Sequence, residues 1–326
     1  MKTTFSIIIP FKNANKTLSK AVESVVAQSM DDYHLFLIDD HSVDNSTVIA
    51  QSYSDKFEQI TYLLSDGMGV SAARNFGLKQ VTSDYVCFVD ADDFVATNYL
   101  STFLDILNEN PQLAITNVTV TSKILNTETE KQVMNREETL KALFRNDLFE
   151  GYSVNKAFKV SVIHDNDIRF NENIQYSEDL LFCFEYIQHI EKAIFQNIDT
   201  YFYVLDNSST MEKSKLGYEF SENELSGIKV LSMIERKNDI KQLDKIIKTR
   251  LVWANSLISR KLSFNNSNGE LSQYQAKIRK QCRQFVTRNL LLFLATSYYG
   301  LKDKLLVTID IVCPTLLVKM WKLKND

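Results

Sequence analysis

Glycine and proline are scarce in this sequence, with eight and three copies among 326 residues. Their scarcity excludes a collagen-like chain and argues against a loop-rich disordered one. No apolar run reaches the ~20 residues that a membrane-spanning helix needs, and the run at Phe5–Ile9 is shorter than the apolar core of a signal peptide. The composition therefore predicts a cytoplasmic protein, either soluble or attached peripherally to the inner face of the cell membrane.

Cysteine patterns typical of metal or redox sites are also missing. The four cysteines contain no Cys-x-x-Cys spacing, and the four histidines do not have the spacing of a zinc site. Cys87 and Cys183 lie in apolar runs, so we expect both to be buried thiols in a reducing compartment. A Gly-x-Gly-x-x-Gly motif does not follow the first apolar run, which argues against a dinucleotide enzyme.

The net charge of −4 is too small to indicate nucleic-acid binding, but it is unevenly distributed. Residues 277–326 contain ten Lys or Arg and three Asp or Glu. A basic tail on an acidic body fits an anionic surface, and a membrane is the first candidate. Lysines and Trp321 among apolar helical positions also suit a membrane interface. Packing within a helical bundle, or in a homodimer, is the alternative, because apolar helical stripes are usually core.

The first hundred residues alternate between two patterns. Continuous apolar runs at Phe5–Ile9, Leu35–Ile38, Ile60–Leu64 and Tyr85–Val89 are separated by segments of helical periodicity. This alternation predicts a mostly parallel sheet flanked by helices, in an α/β fold.

The rest of the chain is less regular, and its last third is helical in pattern. We place a boundary near residue 212, between an α/β domain at 1–212 and an all-helical region at 213–326. The elements predicted beyond residue 97 are strands at Leu113–Thr121 and Tyr201–Leu205, helices at Arg136–Asn146, Asp179–Ile190, Glu219–Lys237, Leu243–Leu262, Leu271–Ala295 and Leu301–Leu323, and a turn at Asn265–Gly269.

Carboxylates follow two of the predicted strands. Asp39 and Asp40 close the second strand, and Asp90 and Asp92 follow the fourth. Ligands of open α/β sheets bind beyond the carboxyl ends of the strands, so we expect these side chains to share a cleft. Carboxylates in one cleft repel each other unless a cation is present, and their hard oxygen atoms favour Mg²⁺ or Mn²⁺. An isolated Asp-x-Asp is also a common way to end a strand and cap a helix.

Five segments resemble glycosyltransferase family 2, the large inverting family with the GT-A fold. They are FSIIIPFKNANKTLSKAVESVVAQS, LFLIDDHSVDNS, GVSAARNFGL, DYVCFVDADD and, from Asn155, NKAFKVSVIHDNDIRFNENIQYSEDLLF. Each segment is a modest signal, but their order and their places on strands and helices match the family pattern. The resemblance divides the α/β domain into a nucleotide-sugar half at 1–97 and an acceptor half at 98–212.

The resemblance implies a donor site built from both carboxylate-bearing strands. Pro10 resembles a position that flanks the nucleotide base, Asp40 one that accepts a hydrogen bond from uracil, and Arg74 a basic residue at the base and diphosphate. Asp90 resembles a position near the ribose, and Asp92 a ligand of Mn²⁺ or Mg²⁺. The implied nucleotide-sugar contacts also include Phe11, Asp39 and Ala91.

The resemblance places the catalytic base at Asp179, in the Ser-Glu-Asp sequence. Ser177 followed by two acidic residues is also how an ordinary helix begins. Glu178 is then a helix cap or an acceptor contact, and Lys156 approaches the diphosphate or pairs with a carboxylate structurally.

One family feature is absent. The family often carries an Arg after a Tyr-x-Tyr strand, where it reaches the diphosphate, whereas this chain has Val204 after Tyr201-Phe-Tyr. Lys213 and Lys215 follow and are the candidate replacements.

These residues suit a single displacement at a sugar carbon. A cation on Asp92 would neutralise the leaving diphosphate, and one carboxylate would take the proton of the incoming hydroxyl. The resemblance implies an inverting, metal-dependent enzyme that transfers a hexose or N-acetylhexosamine, and it implies a UDP-sugar donor because Asp40 and Arg74 match uracil-contacting positions. The expected acceptor is a surface polysaccharide, a teichoic acid or a protein-linked glycan.

Two other functions compete with this interpretation. A haloacid-dehalogenase-type phosphatase also has Asp-x-Asp after an apolar strand, but usually on the first strand, and it gives Asp39 and Asp40 no role. A catalytically inactive GT-A partner subunit, which tethers a glycan-assembly complex to the membrane, would keep the fold without the chemistry. Retention of Asp92 and Asp179 argues against this second alternative.

Overall fold

The computed structural model describes five stretches of the chain. They are residues 4–120, 126–145, 148–205, 220–268 and 271–325. The predicted boundary near residue 212 and the predicted diphosphate contact Lys213 lie outside these stretches, so both stay predictions.

The chain forms two compact units. The first contains Met1–Ile174 and Glu178–Leu205, and the second contains Gln175–Ser177 and Asp206–Asp326. The first unit is α/β and the described part of the second is helical, which confirms the predicted fold class.

One nine-stranded sheet forms the centre of the first unit, in the order β3-β2-β1-β4-β8-β6-β9-β5, with β7 paired to β9. Its strands are β1 Phe5–Phe11, β2 Tyr33–Asp39, β3 Ile60–Leu64, β4 Tyr85–Phe88, β5 Phe94–Val95, β6 Leu113–Val120, β7 Thr127–Met134, β8 Lys156–Lys159 and β9 Ala193–Tyr203. Its helices are α1 Leu18–Val26, α2 Ser46–Lys56, α3 Val70–Gln80, α4 Tyr99–Leu107, α5 Arg136–Leu143, α6 Val160–Asp165 and α7 Glu178–Ile187.

The first four strands are parallel, as their apolar runs predict. Strand β1 pairs with β2 and β4, and β2 pairs with β3, so the carboxyl ends of all four strands meet at one edge. Every residue of β1 is buried, which explains why its sequence is continuously apolar rather than alternating. The register pairs Phe11 with Asp39, which brings the β1 and β2 ends together.

The second half of the sheet is mixed. Strand β8 runs antiparallel to β4 and β6, β6 is parallel to β9, and β7 and β5 are antiparallel to β9. Sequence analysis did not predict β7 or β8. Strand β9 also begins at Ala193, eight residues before the predicted start at Tyr201.

The described part of the second unit contains a short 3-10 helix at Glu222–Glu224 and five α-helices: α8 Leu225–Lys237, α9 Lys241–Asn268, α10 Gln273–Leu294, α11 Leu301–Val312 and α12 Pro314–Asn325. The turn predicted at Asn265–Gly269 is wrong for its described part, because α9 continues through Asn268. The single helix predicted at Leu301–Leu323 is divided at Cys313, before Pro314, a residue whose ring disfavours a helical conformation in the residue that precedes it.

The second unit has apolar clusters of its own. In one, Val252, Val286, Phe293 and Val307 pack together, and Trp253 lies against this cluster. Within the described residues, no helix is both long and apolar enough to cross a membrane.

Candidate active site

Asp39, the last residue of β2, is buried and fully hydrogen-bonded. Its Oδ1 accepts a hydrogen bond from the Ser42 amide at 2.7 Å, and its Oδ2 accepts one from the Thr47 hydroxyl at 2.6 Å. The Tyr62 hydroxyl lies 3.4 Å from the same Oδ2. These contacts fix the turn between β2 and α2, so the structure gives Asp39 a local structural role.

Asp40 lies beside Asp39 but uses different partners. Its Oδ2 accepts from the Lys12 ammonium at 3.2 Å, and its Oδ1 accepts from the Gly69 amide at 2.8 Å. Gly69 precedes α3 with a φ of 96°, a left-handed conformation that favours glycine. Its amide nitrogen therefore faces the β2 end, and Asp40 joins the ends of β1 and β2 to the start of α3.

Arg74 of α3 forms the centre of a buried ionic cluster. Its Nη1 donates to Glu178 Oε1 at 3.0 Å and to Asp179 Oδ1 at 2.9 Å, and its Nη2 donates to Asp90 Oδ1 at 2.9 Å. The guanidinium carbon lies 5.1 Å from the centre of the Phe170 ring. Only 4% of the Arg74 side chain is exposed, so one cation joins the β4 end to the start of α7 in a largely desolvated site.

Two carboxyl groups of this cluster, Glu178 and Asp90, have raised pKa values. Burial raises the pKa of Glu178, the Asp179 charge raises it further, and Arg74 opposes both effects. Burial also raises the pKa of Asp90, against the opposing effect of Arg74. Burial alone would lower the pKa of Arg74, but the three carboxylate charges together raise it above its ordinary value, so the guanidinium stays charged.

The second oxygen of Asp179 is held by a different segment. Asp179 Oδ2 accepts hydrogen bonds from the Ser153 amide at 3.1 Å and the Ser153 hydroxyl at 2.9 Å. Asp179 also lies in the first turn of α7, where the helix dipole favours a charged carboxylate. Both oxygens are therefore fixed, one by Arg74 and one by Ser153.

Lys156 supports the segment that carries Ser153. Its ammonium donates to the carbonyl oxygens of Glu150 at 3.1 Å and Tyr152 at 2.6 Å, and to Asn155 Oδ1 at 2.8 Å. The side chain is completely buried, and this burial lowers the pKa of Lys156 to about 8. All three ammonium donors bind protein oxygens, so the structure places Lys156 in a supporting role, and its diphosphate contact stays a prediction.

The Asp-Ala-Asp sequence after β4 forms a tight turn that is anchored at Asp93. Asp93 accepts hydrogen bonds from the Tyr201 hydroxyl at 2.7 Å and the Val204 amide at 2.9 Å. The Asp90 amide donates to the same Tyr201 hydroxyl at 3.1 Å. Burial raises the pKa of Asp93 to about 8. Asp92, in contrast, is exposed, and within the described stretches it has no side-chain partner.

The chemistry of this turn fits a divalent cation only in part. Asp92 offers hard oxygen ligands of the kind that Mg²⁺ and Mn²⁺ prefer. In the part of the chain that the structure describes, however, no group of three or more His, Cys, Asp or Glu side chains could hold a metal. Further ligands would have to be substrate oxygens and water, as is usual for Mg²⁺.

The structure places the predicted site residues in two groups. Asp39 and Asp40 form the β2 edge, while Arg74, Asp90, Glu178 and Asp179 form the ionic cluster. Three other predicted contacts have buried side chains, and two of them belong to the apolar core. These residues are Pro10, Phe11 and Ala91.

Sequence analysis missed several residues that shape the site. Lys12 and Gly69 lie inside segments that resemble the family, so their motifs were visible although their contacts with Asp40 were not. Tyr201 was noted only as part of the Tyr-x-Tyr strand. Ser153 lies in a segment without any recognisable motif, and nothing in the sequence pointed to it.

The sequence comparison identifies the family. Residues 6–166, which include Arg74 and the Asp-Ala-Asp turn, match the profile of Glycosyl transferase family 2. This segment is a glycosyl transferase family 2 domain.

Two curated relatives illustrate the range of the family. The chain is 30% identical over 240 residues to a cholesterol galactosyltransferase of Borreliella burgdorferi, a match that covers 66% of this chain and 65% of that protein. It is 31% identical over 210 residues to the poly(ribitol-phosphate) β-N-acetylglucosaminyltransferase TarP of Staphylococcus aureus, over 62% of this chain and 63% of that protein. The chain thus spans slightly less than two thirds of these relatives.

A solved structure extends the likeness to the whole chain. Residues 1–349 of S. aureus TarS, crystallised with UDP-GlcNAc, superpose with a TM-score of 0.66 at 17% identity, over 100% of this chain and 93% of that one. This similarity confirms the predicted GT-A fold and its helical extension.

Proposed function

We propose that this protein is an inverting glycosyltransferase that moves a sugar from a UDP-sugar to a hydroxyl group of a glycan acceptor. The observation that carries the proposal is the Arg74 cluster, because one guanidinium joins Asp90, from the donor edge, to Asp179, the candidate base. A donor on the Asp-Ala-Asp turn and a base beside it are the two parts that a single displacement requires.

The donor is proposed to lie against the carboxyl ends of β1, β2 and β4. Asp40 would accept a hydrogen bond from uracil, and Asp92, which is exposed, would bind Mn²⁺ or Mg²⁺ together with the diphosphate. When bound, the cation would supply charge neutralisation for the leaving diphosphate. Two structures with this fold support a nucleoside-diphosphate sugar as the donor. TarS was crystallised with UDP-GlcNAc, and a mannosyltransferase from Pyrobaculum calidifontis forms a complex with GDP-Man and Mn²⁺.

Asp179 is proposed to take the proton from the acceptor hydroxyl as the new bond forms. Its two oxygens are fixed by Arg74 and Ser153, so the carboxylate is positioned before the acceptor binds. Glu178 shares Arg74 and has a pKa raised by burial, which suits a neighbouring contact to the acceptor rather than a second charged base.

The acceptor class is proposed from the relatives. TarP is a poly(ribitol-phosphate) β-N-acetylglucosaminyltransferase, which supports a cell-surface polymer as the acceptor. TarP and the complex of TarS with UDP-GlcNAc both support a hexose or N-acetylhexosamine as the transferred sugar. All four cysteines are free in the structure, in keeping with the proposed cytoplasmic, reducing compartment.

The first experiment measures nucleotide release from a panel of UDP- and GDP-sugars with Mn²⁺ or Mg²⁺, without acceptor. We expect slow, metal-dependent release of UDP from one donor, reduced at least about a hundredfold by Asp92→Asn, because that substitution weakens the cation site. The matched control is Asp105→Asn, which removes an exposed carboxylate of α4 that pairs with Lys131.

Two outcomes would count against the proposal. Equal release by the wild-type protein and Asp92→Asn would remove Asp92 from the donor site. If no donor is hydrolysed and UDP with Mn²⁺ does not bind, the transferase proposal fails and an inactive GT-A partner subunit becomes the better interpretation.

A further inference from the structure

Helix α11 buries one apolar and one acidic side chain, Val307 and Asp310, in the interior of the second unit. Asp310 is completely buried, and its carboxylate accepts hydrogen bonds from the hydroxyls of Ser256 at 3.2 Å and Ser259 at 3.1 Å, both on α9. The guanidinium of Arg283, from α10, donates to the carbonyl oxygens of Asp310 and Ile311 at the end of α11. The interior face of α11 therefore combines these polar contacts with the apolar packing of Val307.

The outer face of the same helix is apolar. Leu301 is 88% exposed, Leu305 60% and Val312 75%, and the face continues into α12 at Leu316, which is 44% exposed. Their spacings of four and seven residues keep the three α11 side chains on one side of the helix. An exposed apolar face of this kind marks an interaction surface. We call these four residues the apolar stripe.

The charge around the apolar stripe has one sign. Between residues 271 and 319, the charged side chains that are exposed or half-exposed are Lys or Arg with the exception of Asp303. A groove of about 360 Å³ on α10 is lined by Lys280, Arg283, Gln284, Thr287 and Arg288. Because Arg283 also binds the end of α11, this basic groove lies next to the Val312 end of the apolar stripe.

We propose that the apolar stripe rests in the surface of an anionic membrane and that the basic groove binds the phosphates of its lipid headgroups. Apolar side chains with Lys and Arg beside them are the composition of helices that lie in a membrane interface. A second copy of the chain fits this surface less well, because two such faces would bring like charges together. The stripe binds at the interface rather than spanning it, as short helices require.

Vesicle sedimentation of the full chain tests the proposal without donor or acceptor, so its outcome is independent of the proposed enzyme activity. The probes are vesicles of phosphatidylcholine alone and vesicles containing roughly one third phosphatidylglycerol. We expect binding to the anionic vesicles, and weakening of that binding by added salt because headgroup attraction is screened. We expect the double substitution Leu305→Glu and Val312→Glu to reduce binding at least about tenfold, through lost apolar insertion and added negative charge.

Matched variants separate the two parts of the surface. The double substitution Lys280→Ala and Arg288→Ala should weaken binding to anionic vesicles while the stripe is intact. Val133→Glu, at an exposed apolar residue of the edge strand β7, should bind like the wild-type protein. The far-ultraviolet circular dichroism of each variant confirms that it is folded.

Three results would overturn the proposal. The wild-type protein could fail to bind anionic vesicles, the Leu305→Glu and Val312→Glu variant could bind as well as wild type, or light scattering could show a dimer that this variant converts to a monomer. The last result would assign the stripe to contact between two copies of the chain.

Discussion

Two of the adjacent acidic pairs in the α/β unit, one at the end of β2 and one at the start of α7, are held in opposite ways. Asp39 and Asp40, at the end of β2, each have their own hydrogen-bond donors and share none. Glu178 and Asp179, at the start of α7, share a single guanidinium nitrogen of Arg74. Two adjacent acidic residues thus have separate hydrogen-bond donors at the end of β2, whereas at the start of α7 they share one charged donor.

This difference separates an edge with several independent donors from a cluster that depends on one cation. The donors to Asp39 lie three and eight residues away along the chain, and those to Asp40 lie 28 and 29 residues away, so the β2 edge is held by nearby segments of the chain. The donor to Glu178 and Asp179 is more than a hundred residues away, and it balances the negative charge of both together with that of Asp90. A site of this second kind depends on one cation and should respond strongly to its loss.

Removing the cation from each acidic pair gives the sharpest contrast. Arg74→Gln should lower the free energy of unfolding by about 3 kcal/mol, because it leaves three partly buried carboxylates without their buried, charged partner. Lys12→Gln, whose side chain is 45% exposed beside Asp40, should lower it by less than about 1 kcal/mol. Urea denaturation of the two variants measures the difference. Similar, small losses in both would contradict the described role of Arg74.

Lys156→Met should reduce stability less than Arg74→Gln does, and it should affect the proposed base without affecting donor binding. It leaves two carbonyl oxygens and one amide oxygen without their donor, which costs about 1–3 kcal/mol of stability. It should also loosen the segment that carries Ser153 and lower kcat about tenfold through misplacement of Asp179, with the KM for the donor unchanged. Steady-state kinetics with a working donor checks this split between kcat and KM.

The pH dependence of Lys156→Met has a definite sign. Burial lowers the pKa of Lys156 from 10.5 to about 8, so between these values the unfolded chain holds a proton that the folded chain has released. The contribution of Lys156 to the free energy of unfolding therefore increases with pH across that window, and Lys156→Met does not show this increase. The cost of Lys156→Met should be larger near pH 10 than at pH 7. Lys159→Met, at the other end of β8, is the control and should show no such change.

The first half of the fold could be predicted because its signals are local. Buried parallel strands are continuously apolar. The acidic residues at the end of β2 and just after β4 mark the carboxyl edge of the sheet. The positions of Asp40 and Asp90 followed from this pattern and from the family resemblance. The strand β6 was also recognisable from its alternation, within one residue of its observed end at Val120.

The second half could not be predicted because its partners are distant in sequence. Strand β8 is four residues long, contains two lysines, and pairs antiparallel with strands that begin 71 and 43 residues earlier. The burial of Lys156 depends on the fold of the preceding segment, and no local pattern reports it. The bond from Arg74 to Asp179 spans 105 residues, so sequence placed both side chains at the site without showing that they bind each other.

Calorimetric titration of UDP in the presence of Mn²⁺ tests the central claim most directly, which is that the β2 edge binds the donor while the α7 carboxylate acts on the acceptor. The comparison is between the wild-type protein, Asp40→Asn and Asp179→Asn, each verified as folded. We predict that Asp179→Asn keeps its Kd for UDP within about threefold, whereas Asp40→Asn raises it about tenfold or more through loss of a charged hydrogen bond. Unchanged affinity in Asp40→Asn, or a greater loss in Asp179→Asn, would contradict this division of the site.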